Sequence, residues 1–98
     1  MKPRNAPKQL IYVSCTSAYT YPERPLYLLV RGRKYEVREL LSHVKIQSVK
    51  PPFHNVHRYT VVLEDGRTVE IEYREREDEW YLLNPETFSE EDFHAEDY

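Results

Sequence analysis

Glycine, cysteine and long apolar runs are scarce in this chain of 98 residues, which contains two Gly and one Cys. A single thiol excludes an intrachain disulfide, so hydrophobic packing has to hold the fold together. Two glycines exclude a glycine-rich phosphate loop. No apolar run approaches the roughly 20 residues that span a bilayer, and no signal-type apolar stretch follows the N-terminus. We therefore expect a cytoplasmic protein without membrane contact.

The composition predicts one folded domain with a charged segment at each end. The hydrophobic fraction of 40%, with nine Tyr, suffices for one modest core, and a chain this short cannot bury two. We expect residues 1–8 to form a flexible basic arm and residues 9–84 to form the β domain. Residues 85–98 have six acids and no base, so we expect an acidic tail. Seven Pro against two Gly, in a chain with 32% charged residues, are typical of a thermophilic source.

Short runs rich in Val, Ile, Leu, Tyr and Thr predict five to six strands, over 9–15, 26–31, 34–46, 57–64, 67–74 and 79–83. We expect an all-β or mainly β fold, a single small antiparallel sheet curled into a partly open barrel. Residues 36–48 match both a helical spacing and a strand that changes face once at a bulge, with Val44 and Ile46 on the core side. The long bent strand is favoured because Gly32 starts it as a hairpin partner. A short helix there, or in the C-terminal tail, is the alternative.

The hairpin around Gly66 is predicted from the side-chain period of a strand. A two-residue Asp-Gly turn would leave neither face of the hairpin apolar. A three-residue loop that ends in a left-handed Gly66 instead pairs Val61 with Val69 and Tyr59 with Ile71, which makes one face a continuous core surface. The opposite face then carries one exposed opposite-charge pair, Arg58 with Glu72, worth at most a few tenths of a kcal/mol.

The hairpin around Gly32 is predicted to close with a type II′ turn, because the first central position of that turn favours glycine. Leu28 is then opposite Val37, and Val30 is opposite Tyr35. The other face of this hairpin holds the basic and aromatic residues considered below.

The spacing of several strand and turn residues resembles a small bacterial domain family of unknown function, often encoded beside accessory proteins of error-prone DNA polymerases. The resemblance covers about residues 24–83 and rests on Gly32-Arg33-x-Tyr35-x-Val37, Arg58-Tyr59-x-Val61, Asp65-Gly66, Tyr73-Arg74 and Trp80-x-Leu82. The chain departs from the family in lacking a Trp-rich segment after the third strand and in adding an acidic tail. The resemblance supplies no catalytic residues; it implies a small barrel-like fold and an association with DNA metabolism.

The candidate catalytic and metal-binding residues have plainer interpretations. His54-x-x-His57 offers two ligands, but a structural zinc site needs four, so we expect a solvent-facing histidine pair and neither metal nor cofactor. Cys15 has no helix N-terminus to activate it and is expected to be a small core residue. Alternation places Glu70 and Glu72 on a solvated face, and a small sheet offers little cleft for paired carboxylates. We therefore expect a protein that is not an enzyme.

Charge is distributed unevenly along the chain. Residues 1–50 hold ten Lys or Arg and three acids, a balance of +7, whereas residues 51–98 hold four Arg and fourteen acids, a balance of −10. Cations neutralise phosphates, and Tyr rings stack on unpaired bases. The residue types that such binding needs are concentrated in the first hairpin and the N-terminal arm, as Tyr27, Arg31, Arg33, Lys34, Arg38, Arg4 and Lys8.

Two classes of function follow from these patterns. The first is a non-catalytic binding or regulatory module that contacts a protein partner, or a second copy of itself, through an exposed strand edge or through Phe88, Phe93 and Tyr98 of the tail. The alternative is a nucleic-acid-binding accessory protein that holds single-stranded DNA or RNA on the basic aromatic hairpin 27–38. A minor alternative is that the acidic half mimics nucleic acid and inhibits an enzyme that acts on it.

Overall fold

Six antiparallel strands in chain order form a closed barrel in the computed structural model, which describes residues 8–17, 22–51 and 54–88. The strands are β1 (Gln9–Ser17), β2 (Pro22–Val30), β3 (Arg33–Gln47), β4 (Asn55–Leu63), β5 (Thr68–Arg74) and β6 (Glu79–Leu82), and a 3₁₀ turn follows at Pro85–Thr87. The predicted mainly β antiparallel barrel is confirmed. It is closed rather than partly open, because β6 pairs with β1 from Gln9↔Leu82 to Ile11↔Trp80 and so removes both outer edges of the sheet.

The long bent strand predicted around residues 36–48 is confirmed as β3, which has 15 residues, and the helical alternative there is wrong. Register shifts lie at 37–39 and at 40–42, two instead of the predicted one. Because each bulge exchanges the two faces of a strand, the second shift reverses the first. Val44 and Ile46, predicted to face the core, are therefore 51% and 40% exposed.

The first hairpin closes one residue earlier than predicted. Its central residues are Arg31 and Gly32, with φ of 53° and 83°, so both adopt the left-handed conformation of a type I′ turn. Leu28 consequently pairs with Tyr35 rather than with Val37. The pairing is displaced by two residues, which equals the side-chain period, so the predicted faces of the hairpin are retained although its register was wrong.

The second hairpin is confirmed as predicted. Gly66 has a φ of 95°, and Val61↔Val69 and Tyr59↔Ile71 are paired. All four paired side chains are fully buried. The apolar face therefore selected the three-residue loop over the two-residue turn.

The core fills the barrel and extends into the segment after β6. Fully buried side chains are Leu28, Val30, Tyr59, Val61, Leu63, Val69, Ile71 and Leu82. Phe88, predicted as a partner contact, instead lies in this core, 2% exposed, with its ring 4.8 Å from that of Tyr35 in an edge-on contact. The predictions for Arg4, Phe93 and Tyr98, and the alternative of a helix in the tail beyond residue 88, concern residues outside the described ranges. No helix in the described ranges has the length and apolar character needed to cross a membrane.

Candidate functional site

The structure brings together two of the predicted nucleic-acid contacts on the outer face of the first hairpin. Lys34 Nζ lies 4.4 Å from the centre of the Tyr27 ring. The ring of Tyr12, which is 55% exposed on the adjacent strand, lies 6.4 Å from that of Tyr27. Tyr12 is absent from the predicted set because its neighbour across the sheet depends on the β1–β2 register.

The other predicted hairpin residues make different contacts. Arg33 lies on the opposite face, with its guanidinium carbon 5.7 Å from the centre of the Tyr35 ring. Arg31 Nη2 donates a hydrogen bond of 3.2 Å to Gln9 Oε1 at the end of the barrel. Arg38 is exposed on β3. The predicted basic cluster is therefore divided, because Arg33 lies on the face opposite to Lys34.

Lys8, predicted to belong to the flexible arm, binds Glu72 on the outer face of β5. The Glu72 carboxylate accepts hydrogen bonds from Lys8 Nζ at 3.2 Å, Arg58 Nε at 3.2 Å and Arg74 Nε at 2.8 Å. The Glu72 side chain is 2% exposed, so its predicted place on a solvated face is wrong, because the three cations cover it. Burial raises the pKa of Glu72, but these hydrogen bonds and the Lys8 charge outweigh burial and hold the pKa below its ordinary value.

The predicted pair of solvent-facing histidines is also corrected. His54 is exposed, but His57 is fully buried. His57 precedes Tyr59 by two residues on β4, so the alternation that buries Tyr59 buries His57 as well. This alternation was visible in the sequence and identifies the inward histidine.

Inside the barrel His57 links a second histidine to a carboxylate. His43 Nε2 lies 2.8 Å from His57 Nδ1, and His57 Nε2 lies 2.5 Å from Glu75 Oε2. Glu75 Oε1 accepts a further hydrogen bond of 3.1 Å from Asn55 Nδ2. The His43 ring is stacked on Tyr59, with centroids 4.4 Å apart and 5° between the ring planes. We call this arrangement the His43–His57–Glu75 chain.

Hydrogen-bond chemistry orders the proton positions in this chain. An ionised Glu75 can only accept, so His57 Nε2–H donates to it, and in the neutral pair His57 Nδ1 accepts from His43 Nε2–H. Burial, and then the charge of His57, lower the pKa of His43. Burial raises the pKa of Glu75, but hydrogen bonds from His57 and Asn55 outweigh burial and lower it overall.

These pKa directions predict that acid destabilises the barrel in two steps. A lowered histidine pKa means that the folded state binds the proton less tightly, so the contribution of His43 is present above its ordinary pKa of 6.5 and is lost as the pH falls below that value. The contributions of Glu72 and Glu75 are present above the ordinary value of 4.5 and are lost as the pH falls towards their lowered pKa values. Urea unfolding at a series of pH values measures both steps.

The variant His43→Gln is the matched control for the first step. It retains a polar side chain of similar reach but does not titrate near neutral pH. We expect the loss of stability below pH 6.5 to shrink in this variant, while the second step remains. An unchanged first step in His43→Gln would exclude His43 as its source.

Within the described ranges, the far half of β3 has a strand neighbour on one side only. Its residues from Glu39 to Gln47 pair with β4. On the other side, β2 reaches β3 only from Tyr27↔Glu36 to Val30↔Arg33 among the residues that the structure describes. We call residues 38–47 the open edge. It includes Leu41 and Val44, each 51% exposed, and a strand edge of this kind can accept another extended segment.

Comparison with protein-family models, curated proteins and solved structures finds no match for this chain. The family resemblance described above therefore stays a prediction from the residues. Any functional conclusion has to be drawn from the geometry of the barrel itself.

The Cys15 thiol and the side chains that could bind a metal are the other candidate reactive groups. Cys15 is partly buried against the core, and burial raises its pKa to about 12, which keeps the thiol protonated and weakly nucleophilic at neutral pH. In the described ranges, no three side chains among His, Cys, Asp and Glu are placed to hold a metal ion together.

Proposed function

We propose that this protein is a small non-catalytic binding module that takes an extended, acidic segment of a protein partner onto the open edge of β3. The observation that carries the proposal is that, among the described residues, the far half of β3 pairs with β4 alone, whereas a strand in a barrel normally has two neighbours. Addition of a strand supplies main-chain hydrogen bonds, and side-chain contacts on alternate positions supply specificity.

The side chains around the open edge favour an acidic, partly apolar partner. Arg38 and Lys45 are exposed within the edge, and Lys50 is exposed just beyond it. Glu39 is the one exposed acid within the edge. Val44 adds an exposed apolar contact, so the edge combines a positive charge balance with apolar surface.

We expect Val44→Glu to weaken the binding of such a segment by about tenfold or more, because the substitution removes an apolar contact and introduces a like charge. The probe is a peptide selected on the full chain from a library of random extended sequences. Fluorescence anisotropy measures its affinity. Amide hydrogen exchange measures whether residues 38–47 become protected when it binds.

Leu10→Glu is the matched control for this experiment. Leu10 is 58% exposed, but it lies on β1, where it pairs with Tyr81 of β6, away from residues 38–47, so the new charge should leave the affinity unchanged. Equal weakening by both variants, or protection confined to residues outside the open edge, would overturn the proposal. Sedimentation equilibrium on the free protein tests whether a second copy of the chain occupies the open edge. If a dimer forms and protects the same amides, the occupant is another copy of this chain and not a partner peptide.

A second candidate function is contact with single-stranded nucleic acid at the Tyr12–Tyr27 face, the outer surface that is formed by Tyr12, Tyr27 and Lys34. Two tyrosine rings beside the Lys34 ammonium provide both base stacking and phosphate neutralisation. A salt titration with fluorescent single-stranded DNA, on a chain shortened by residues 89–98 so that Phe88 stays in the core, tests it. Absence of binding at low salt, or equal binding by Tyr27→Ala, would discard this candidate.

A further inference from the structure

A depression on the outer face of the sheet surrounds the buried Glu72 carboxylate. It has a volume of about 330 Å³ and is lined by Lys8, Arg58, Arg74, Ile46, Val56 and His54, with Glu77 also on its wall. Neighbouring positions on three strands build it, since Ile46 pairs with Val56 and Val56 with Arg74. Cations and apolar side chains therefore meet in one concavity.

The charge at the base of this depression is not balanced. Three cations converge on one carboxylate, which leaves two positive charges in excess. Their side chains are 40%, 52% and 33% exposed for Lys8, Arg58 and Arg74, so they remain accessible from solvent. Glu77 offsets part of the excess from an exposed position.

Glu72 also orients the two arginines. Each guanidinium donates to the carboxylate through Nε, at 3.2 Å for Arg58 and 2.8 Å for Arg74. The Arg74 guanidinium is held further by the Tyr81 ring, whose centre is 4.7 Å from its Cζ atom. The terminal nitrogens of Arg58 and Arg74 donate to no side chain within the described ranges. Both guanidinium groups are therefore held in place through Nε, while their terminal N–H groups can donate to a ligand.

The geometry points to this depression as a binding site for a small phosphate monoester. A phosphate monoester carries a charge of about −1.5 to −2 at neutral pH. This charge is opposite in sign to the lining, where Lys8, Arg58 and Arg74 outnumber the carboxylates of Glu72 and Glu77. Arginine forks fit phosphate oxygens, and Lys8 supplies a point charge. Val56 and Ile46 form an apolar wall against which the esterified group can pack, and the volume suits a small molecule. This inference does not depend on the open edge.

Phenyl phosphate is the probe, titrated into the full isotopically labelled chain at constant ionic strength and followed by amide chemical shifts. We expect saturable shifts around Arg58 and Arg74, with a dissociation constant on the order of 1 mM for a ligand of this size. Arg58→Gln and Lys8→Gln should each weaken binding by about tenfold, because each removes a charge-assisted contact. Glu77→Gln should strengthen it.

Arg24→Gln, at an exposed cation of β2, is the matched control and should bind as the unaltered chain does. Shifts that do not saturate, or equal weakening by Arg24→Gln and Lys8→Gln, would overturn the site. If inorganic phosphate binds as tightly as phenyl phosphate, the proposed preference for an ester is wrong, because the apolar wall then contributes nothing to the affinity. Tighter binding of a single-stranded oligonucleotide at the same residues would replace the small ligand by nucleic acid. Thermal unfolding of each variant verifies that the barrel persists, and Lys8→Gln serves if Arg58→Gln does not fold.

Discussion

Replacing Tyr59 by Ala should lower the free energy of unfolding by about 4 kcal/mol, within the usual range for removing a large buried ring. Tyr59 is fully buried, is stacked on His43 and has its ring centre 5.3 Å from that of Trp80. Its removal leaves a cavity that the paired strands around it cannot fill by collapse. A loss of this size is a large share of the 5–15 kcal/mol that holds a typical domain. Urea unfolding, monitored by Trp80 fluorescence, measures it.

Tyr12→Ala is the control, because it makes the same chemical change at a side chain that is 55% exposed. Its effect should stay within about 0.5 kcal/mol, as for other surface positions. Similar losses in the free energy of unfolding for the two variants would show that the Tyr59 side chain is not buried in the core.

Replacing His57 by Ala should cost about 3 kcal/mol, although histidine is smaller and more polar than tyrosine. The substitution leaves a cavity, and it also removes the hydrogen-bond partner of both His43 and Glu75. Part of the cost depends on Glu75, whose carboxylate retains only Asn55 as a described side-chain donor. The comparison of unfolding midpoints at pH 7.5 or so, where histidines are mainly neutral, isolates this effect.

A double-mutant cycle with Glu75→Gln separates the cavity from the hydrogen bond. If the His43–His57–Glu75 chain acts as a unit, the two losses should fall short of additivity by about 0.5–3 kcal/mol. Additive losses would mean that His57 serves only to fill space, and the interior chain would have no energetic coupling.

The interior chain also bears on the proposed binding function. His43 pairs with Tyr59 across the β3–β4 ladder, within the stretch of β3 that forms the open edge. The stability of this stretch therefore depends on packing and hydrogen bonds inside the barrel, on the face opposite to exposed Val44. A partner strand on the open edge would add hydrogen bonds to a strand that is already held on its inner side.

Local patterns in the sequence were sufficient for the strands, the second hairpin and the faces of both hairpins. A strand has a side-chain period of two, and Gly66 has one conformation that suits an apolar pairing of Val61 with Val69, so neighbouring residues carry all the information needed. The same period explains why the first hairpin kept its faces although its turn lies one residue earlier than predicted. His57 was also accessible to this reasoning.

Tertiary structure alone decided which distant residues meet. Lys8 and Glu72 are 64 positions apart, and their contact exists because β1 closes the barrel next to β6 and β5. His43 meets His57 only because two bulges, rather than one, set the face of the second half of β3. The open edge likewise follows from how far β2 extends along β3. Bulges and closure depend on packing summed over the whole barrel, and no local pattern of residue types encodes that sum.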